Sequence, residues 1–257
     1  MSRKINLNAD IGEGHGAYDI GDDEALMKII RSASVACGFH AGDPRTMHKL
    51  VTLARDEGVS LGVHPGFNDI WGFGRRRIQM SPTDLEYMVA YQIGALQAMA
   101  RYGGVAVTHL KAHGALNNMA AEQEDYAMAI GRAIKTVDPE IVYVVLPGSQ
   151  MHKAAERLGL RLAREGFADR AYEADGSLAS RSKPNTVLSD PAAALEHTLR
   201  MVQEGEIVAI DGQRIKVEID TLCVHGDEPT GVAVAGVVRK GLEEAGVAVV
   251  PLTDMDL

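Results

Sequence analysis

The stretch VTHLKAHGALNN, residues 107–118, sets His109, Lys111 and His113 at every second position. Side chains of an extended strand alternate between two faces at about 3.3 Å per residue, so these three share one face and Thr108, Leu110 and Ala112 the other. Imidazoles and an ammonium along one face need a wet or reactive space opposite them. Lys111 and His113, about 6.6 Å apart along that face, suit the stabilisation of negative charge on a carbonyl or phosphoryl oxygen. His109 and His113 lie about 13 Å apart along a strand, too far to share an ion that holds imidazole nitrogen at about 2.0 to 2.1 Å. His109 is therefore expected deeper in the fold, as a structural residue.

Three further histidines sit in the same setting. FHAGDP (His40), VHPGF (His64) and VHGDEP (His225), like KAHGAL (His113), each follow a strand-like run and reach a glycine within two residues. Glycine lets the turning backbone pass close to a ligand. A single histidine at a strand end is ordinarily a satisfied core group; four in corresponding places point to a site. The acids nearby are Asp10 and Glu13 in NLNADIGEG and Glu165 at the end of LRLARE, candidates for activating water as a general base. Arg75 and Arg76 in WGFGRRRIQM are suited to fork onto a substrate carboxylate, while Arg77 reads as solvated loop. A divalent metal would take ligands from different strands, with Asp10, His40 and His64 the candidate set; no zincin pattern or paired C-x-x-C supports one. GEGHG is not a dinucleotide fingerprint and no phosphate-loop motif occurs, so any ATP would be held with or by another chain.

The elements that must position these residues alternate almost to the end of the chain. Strand-like runs cover 5–10, 33–39, 60–64, 105–113, 141–146, 160–165, 221–225 and 247–250, with helical stretches near 22–31, 44–57, 82–102, 122–137, 149–158, 190–204 and 228–245. Asp43-Pro44 and Ser81-Pro82 are N-cap and first-turn signals. Strict rotation of strand and helix means a parallel sheet. Ile5, Leu7, Ala9 and Ile11 are apolar against polar Asn6, Asn8 and Asp10, and residues 33–40 and 60–64 divide the same way. An open sheet covered on both faces would read as continuously apolar. In a barrel the apolar parity meets outer helices, and the polar parity lines an interior whose C-terminal end carries the active site. The expectation is one domain over 1–257, a (β/α) barrel of seven or eight parallel strands, with a long loop at 167–189 and a hairpin at 206–219 around Asp211-Gly212.

Totals set the outer limits. Hydrophobic content of 46% and charged content of 24% are ordinary for a globular protein, and 26 basic against 35 acidic residues give a formal charge of −9. That balance gives little support to nucleic-acid or anionic-membrane partners. No signal-peptide segment or 18-residue apolar run is present, so a cytoplasmic location is expected. Cys37 and Cys223 form no disulfide framework and read as buried thiols.

In order, the blocks NLNADIGEG, SVACGFHAGDPRTM, HPGF, GFGRRRIQM, HLKAHGALNN, FADRAYEADGSLASR and DTLCVHGDEP closely resemble the LamB/YcsF family, the A subunits of 5-oxoprolinase. The resemblance covers nearly the whole chain. It implies a TIM-barrel-like fold of the glycoside hydrolase/deacetylase type, 5-oxoproline as substrate, and its ATP-dependent opening to glutamate in a complex with subunits B and C. Family motif positions are matched by Asp10, Glu13, His40, Asp43, His64, Arg75, Arg76, Lys111, His113, His225 and Asp227. On this reading Asp10, Glu13, Glu165, Lys111 and His113 are catalytic, and His40, His64, Arg75, Arg76, His225 and Asp227 bind substrate. Departures from the family pattern, such as Gly66-Phe67-Asn68 for Ser-Tyr-Pro and Ala112 for Pro, leave the charged set intact. The alternatives are a metal-dependent deacetylase or amide hydrolase, and a non-catalytic scaffold subunit.

Overall fold

The structure is a computed structural model describing residues 3–180, 183, 184, 186–225 and 230–257. Its strands are β1 (Lys4–Ile11), β2 (Ser32–Ala36), β3 (Ser60–His64), β4 (Val107–Leu110), β5 (Val142–Val145), β6 (Leu162–Phe167), β7 (Glu206–Val208), β8 (Arg214–Lys216), β9 (Thr221–Val224) and β10 (Ala248–Val249). The helices are α1 (Asp23–Ile29), α2 (Pro44–Glu57), α3 (Pro82–Gly103), α4 (Gly114–Glu122), α5 (Glu124–Val137), α6 (Gln150–Leu158), α7 (Pro191–Leu199) and α8 (Gly231–Glu244).

Strands β1 to β6 pair in sequence order, all parallel, and β9 closes the ring between β6 and β1. This is a seven-stranded (β/α) barrel. The run at 247–250 is strand β10, which pairs only with Lys4 and Ile5. From Asn6 onward that edge of β1 belongs to β9, so an eighth strand has no place in the ring. Residues 206–219 form the expected antiparallel hairpin, β7 on β8, as a separate two-stranded sheet.

The alternation of β1 sorts as the sequence requires. Ile5, Leu7, Ala9 and Ile11 are fully buried in the main apolar core, while the opposite parity builds a hydrogen-bonded interior. Asn8 Nδ2 donates to Thr221 Oγ1 at 2.7 Å and to Glu165 Oε1 at 3.1 Å, Thr221 donates to Asn6 Oδ1, and Asn6 donates to Ser32 Oγ. Polar groups withdrawn from water need such partners. Below them, Val142, Val144 and Ala163 pack on Leu252 and close the barrel floor with apolar surface.

The helix signals hold: Asp43 accepts from Arg45 and Thr46 N–H ahead of Pro44, and Ser81 accepts from Asp84 N–H ahead of Pro82. Two differences bear on the site. The strand expected over 105–113 ends at Leu110, and a helix missing from the sequence reading, α4, starts at Gly114. Extended backbone does continue, with Lys111 and His113 N–H bonded to the Val63 and Pro65 carbonyls. His113 is the N-cap of α4 but makes no side-chain cap, because its imidazole is turned into the barrel mouth. Part of the helix expected over 228–245 lies outside the described residues. No helix among them is long and apolar enough to cross a membrane.

Candidate functional site

The C-terminal ends of β1, β3, β4, β6 and β9, with the loops that follow, converge on a cavity of about 460 Å³. Asp10, Glu13, Arg75, Lys111, His113, Phe167, Arg170 and His225 line it, and Leu178, Ala179 and Ser180 of the long loop reach its edge. His40, His64 and Glu165 lie behind this lining, buried. Asp227 lies outside the described residues.

The polar groups divide into two neighbouring assemblies. In the first, the Lys111 ammonium is 2.9 Å from Asp10 Oδ1 and 2.9 Å from Glu165 Oε1, and it donates to Asn8 Oδ1 and, at 3.0 Å, to Cys223 Sγ. Burial works against the charge on Lys111, but Asp10, Cys223 and Glu165 outweigh it and hold the pKa well above the ordinary range. Burial likewise pushes the Asp10 carboxyl up, yet the charges of His64 and Lys111 win and hold it well below the usual value. Glu165 goes the other way: burial, reinforced by Asp10, raises it against the pull of Lys111. Two carboxylates thus share one ammonium, Asp10 facing the cavity and Glu165 sealed beneath it.

The second assembly is Glu13, His40, His64 and His113. His113 Nδ1 lies 3.0 Å from Glu13 Oε1, His40 Nε2 3.3 Å from the same oxygen, and His64 Nε2 3.0 Å from His113 Nδ1. The His40 and His113 rings stack with centroids 3.7 Å apart. Asp10 bridges the assemblies through Oδ2, 3.4 Å from His64 Nε2. Burial depresses the His40 pKa to about 3, helped by the neighbouring His113, so this ring is neutral. His64 is raised, because Asp10 overcomes the burial penalty. Burial favours neutral Glu13, but hydrogen bonds with His113 and His40 keep it below the ordinary carboxylate range.

Several expectations change in detail. Lys111 and His113 share a face, but Lys111 bonds to Asp10 and Glu165 while His113 bonds into the Glu13–His64 cluster. Arg76 is committed to an ion pair with Asp69 and does not line the cavity, whereas Arg75 does. Arg77 pairs with Glu122 at the cavity rim. Among the described residues, the donor atoms lying within 4.8 Å of one another are those of Glu13, His40, His64 and His113, with Asp10, Cys223 and His225 a second group; Asp10, His40 and His64 do not form a set by themselves. His109 is where the spacing put it, buried in the barrel and facing Gly62. Cys223 is buried as expected, but its sulfur belongs to the site.

Two residues at the site escaped the sequence reading, Asp169 and Arg170. The Asp169 carboxylate accepts from His225 Nδ1 at 2.8 Å and from the His225 backbone N–H, which fixes the ring and leaves Nε2 as its other atom. Both residues follow β6 directly, at the same barrel end as the histidines, but in the sequence they open a long loop with nothing to mark them out.

The profile of the LamB/YcsF family matches residues 5–257. The chain belongs to the LamB/YcsF family. It is 53% identical over 249 residues to a protein named as the A subunit of 5-oxoprolinase from Rhodopseudomonas palustris (strain BisB5), covering 96% of this chain and 98% of that one. The crystal structure of a lactam utilization protein from Thermus thermophilus superposes with a TM-score of 0.92 at 44% identity, over 96% of this chain and 99% of that one. The catalytic domain of a peptidoglycan N-acetylglucosamine deacetylase from Eubacterium rectale superposes at 0.52 with 10% identity, over 99% of this chain and 90% of that one, which shows a shared fold alone. The Thermus protein therefore carries the same arrangement of strands over essentially its full length.

Proposed function

We propose that this LamB/YcsF protein is the ring-opening subunit of an ATP-dependent 5-oxoprolinase, converting 5-oxo-L-proline to L-glutamate with ATP used with or by partner subunits B and C. The observation that carries the reading is the Asp10–Lys111–Glu165 assembly at the edge of a polar cavity, in a chain so similar to proteins named as A subunits of 5-oxoprolinase. Buried charges are costly, and a fold keeps them where they act. That cost argues against a scaffold without chemistry.

A five-membered amide is a poor electrophile, and phosphorylation of its oxygen by the partners makes the carbonyl carbon reactive. A water then adds to that carbon, the ring C–N bond breaks as the nitrogen takes a proton, and a second water releases phosphate from the resulting acyl phosphate. Asp10, ionised and facing the cavity, is placed to take the first water's proton, since a base must be unprotonated and within reach. Glu165 is sealed below Lys111 and serves to hold it. The Lys111 ammonium stabilises the oxyanion in a site already organised around it. His225, fixed by Asp169, supplies the proton to the departing nitrogen. Arg75 and Arg170 supply positive charge to the substrate's carboxylate and phosphoryl group.

The test is glutamate formation from 5-oxoproline and ATP with this chain alone, with partners alone and with both. Activity is expected only in the mixture. Lys111→Ala, checked for folding by its melting curve, should lower the rate of the mixture by about 100- to 1,000-fold. An unchanged rate would remove Lys111 from the chemistry, and full activity of the partners alone would refute the reading.

A further inference from the structure

We infer that Glu13, His64 and His113 form a divalent transition-metal site at the barrel mouth, oriented by the Phe73 and Lys111 carbonyls and by His40. His64 Nδ1 lies 2.7 Å from the Lys111 carbonyl oxygen and His113 Nε2 lies 2.8 Å from the Phe73 carbonyl oxygen. A carbonyl oxygen only accepts, so each of these nitrogens carries the hydrogen. Asp10 favours a second proton on His64, and an ion binding here displaces it; in the neutral rings that ligation requires, His64 Nε2 and His113 Nδ1 are both lone-pair atoms. They face each other at 3.0 Å, with Glu13 Oε1, a third acceptor, 3.0 Å from His113 Nδ1 and 3.8 Å from His64 Nε2.

Three acceptors in mutual contact need something positive between them. A proton bridges two such atoms; an ion serves all three. A triangle with these sides has a circumradius of about 1.9 Å, so a point about 0.8 Å off its plane is about 2.1 Å from every corner, the bond length zinc makes to imidazole nitrogen and carboxylate oxygen. Two imidazoles and one carboxylate, with coordination positions left over, is a donor set of catalytic sites for borderline divalent ions. One carboxylate and no carbonyl or amide oxygen is poor for calcium or magnesium.

The surroundings support ligands held in place. A metal-bound histidine usually donates its other N–H to a carbonyl or carboxylate, and both rings do so here. The Phe73 carbonyl comes from the one non-glycine residue with positive φ among the described residues, φ 53°, a conformation of some strain kept where it aims that oxygen at His113. His40 Nε2, at 3.3 Å from Glu13 Oε1, positions the carboxylate. Gly74 is needed for the approach, since a Cβ there would lie 2.7 Å from His40 Cβ and 2.8 Å from His113 Cδ2. Bound beside Asp10, the ion would polarise a carbonyl or phosphoryl oxygen in the cavity.

The inference does not depend on the lactam reading, because its test measures binding and not turnover. Full-length chain is stripped with chelator and titrated with Zn²⁺ by calorimetry, then with Co²⁺ in a spectrometer. The expected result is one equivalent bound with micromolar or tighter affinity, and visible d–d absorption for Co²⁺ without a thiolate charge-transfer band. His64→Ala and His113→Ala should each weaken Zn²⁺ binding by about 100-fold or more, and His40→Ala, a change behind the ligands, by about 10-fold. Cys223→Ser should leave it unchanged. No stoichiometric binding, or a thiolate band with binding lost in Cys223→Ser, would overturn the proposal; the Co²⁺ spectrum of the unaltered chain decides it even if a variant fails to fold.

Discussion

At the scale of single residues, the site is a set of charges that hold one another in place, and an outlying acid shows what happens where burial outweighs the partners. Asp23 stands in the first turn of α1 and accepts from Gly12 N–H at 3.1 Å, next to the loop that carries Glu13. Burial pushes its pKa from 3.8 up to about 7, opposed by that N–H. An acid raised in the folded state binds its proton more tightly there than when unfolded. Its ionisation therefore costs nothing below about pH 4, costs progressively more up to about 7, and costs a constant amount above. Asp23→Asn keeps an oxygen for Gly12 and removes the charge. Its stability gain over the parent should grow through that window to about 1 to 2 kcal/mol at pH 8. Urea unfolding at pH 5 and pH 8 measures this, and equal gains at both would show that Asp23 is not the titrating group. Residue legibility followed repetition. Four histidines in one context are visible in a sequence, and so is a lysine on their strand face. Asp169 was not, because one acid in a long loop looks like any solvated residue until the fold brings it to His225.

At the scale of elements, period two in the strands and cap-plus-proline in the helices were enough to place nearly every segment of the ring. What failed was the end of β4. Lys111 to His113 stay extended and bonded to β3's continuation, so their alternation persists, but the strand as a paired element is over by Leu110. Helix α4 escaped because its capping position is spent on the site, leaving no start signal. Residue choice inside the strands also reflects neighbours that no local pattern reveals. Gly62 of β3 faces His109 of β4, and a Cβ on Gly62 would lie 2.2 Å from the imidazole Nε2. Gly62→Ala must push that ring off its place in a packed interior. Overpacking of this kind costs about 1 to 3 kcal/mol. Chemical denaturation should show that loss, and the double variant Gly62→Ala/His109→Ala should lose less than the sum of the two single changes, because one clash is removed by the other substitution. Strict additivity would mean the two side chains do not compete for the same space.

At the scale of the whole molecule, the barrel separates work between its ends. The mouth gathers Asp10, Glu13, Lys111, His113 and His225 around a cavity, while the floor is a small apolar cluster in which Leu252, almost fully buried, packs on Val142, Val144 and Ala163. The chain reaches that floor after β10: Val250 N–H bonds to the Ile5 carbonyl, Asn6 Nδ2 donates to the Val250 carbonyl, and Leu252 N–H reaches Ser32 Oγ. The hydrogen-bonded layer of Asn6, Ser32 and Thr221 lies between this plug and the mouth. Chemistry in such barrels belongs to the C-terminal face and stability to the other. Leu252→Ala should therefore lower unfolding free energy by about 2 to 5 kcal/mol, the range for emptying a buried leucine site. Catalytic rate per folded molecule and metal stoichiometry should stay at parental values below the melting transition. Lys111→Ala is expected to do the reverse, losing catalysis out of proportion to stability. If Leu252→Ala instead changed turnover while leaving the denaturation midpoint in place, the floor would be coupled to the mouth, and the division of labour argued from the fold would fail.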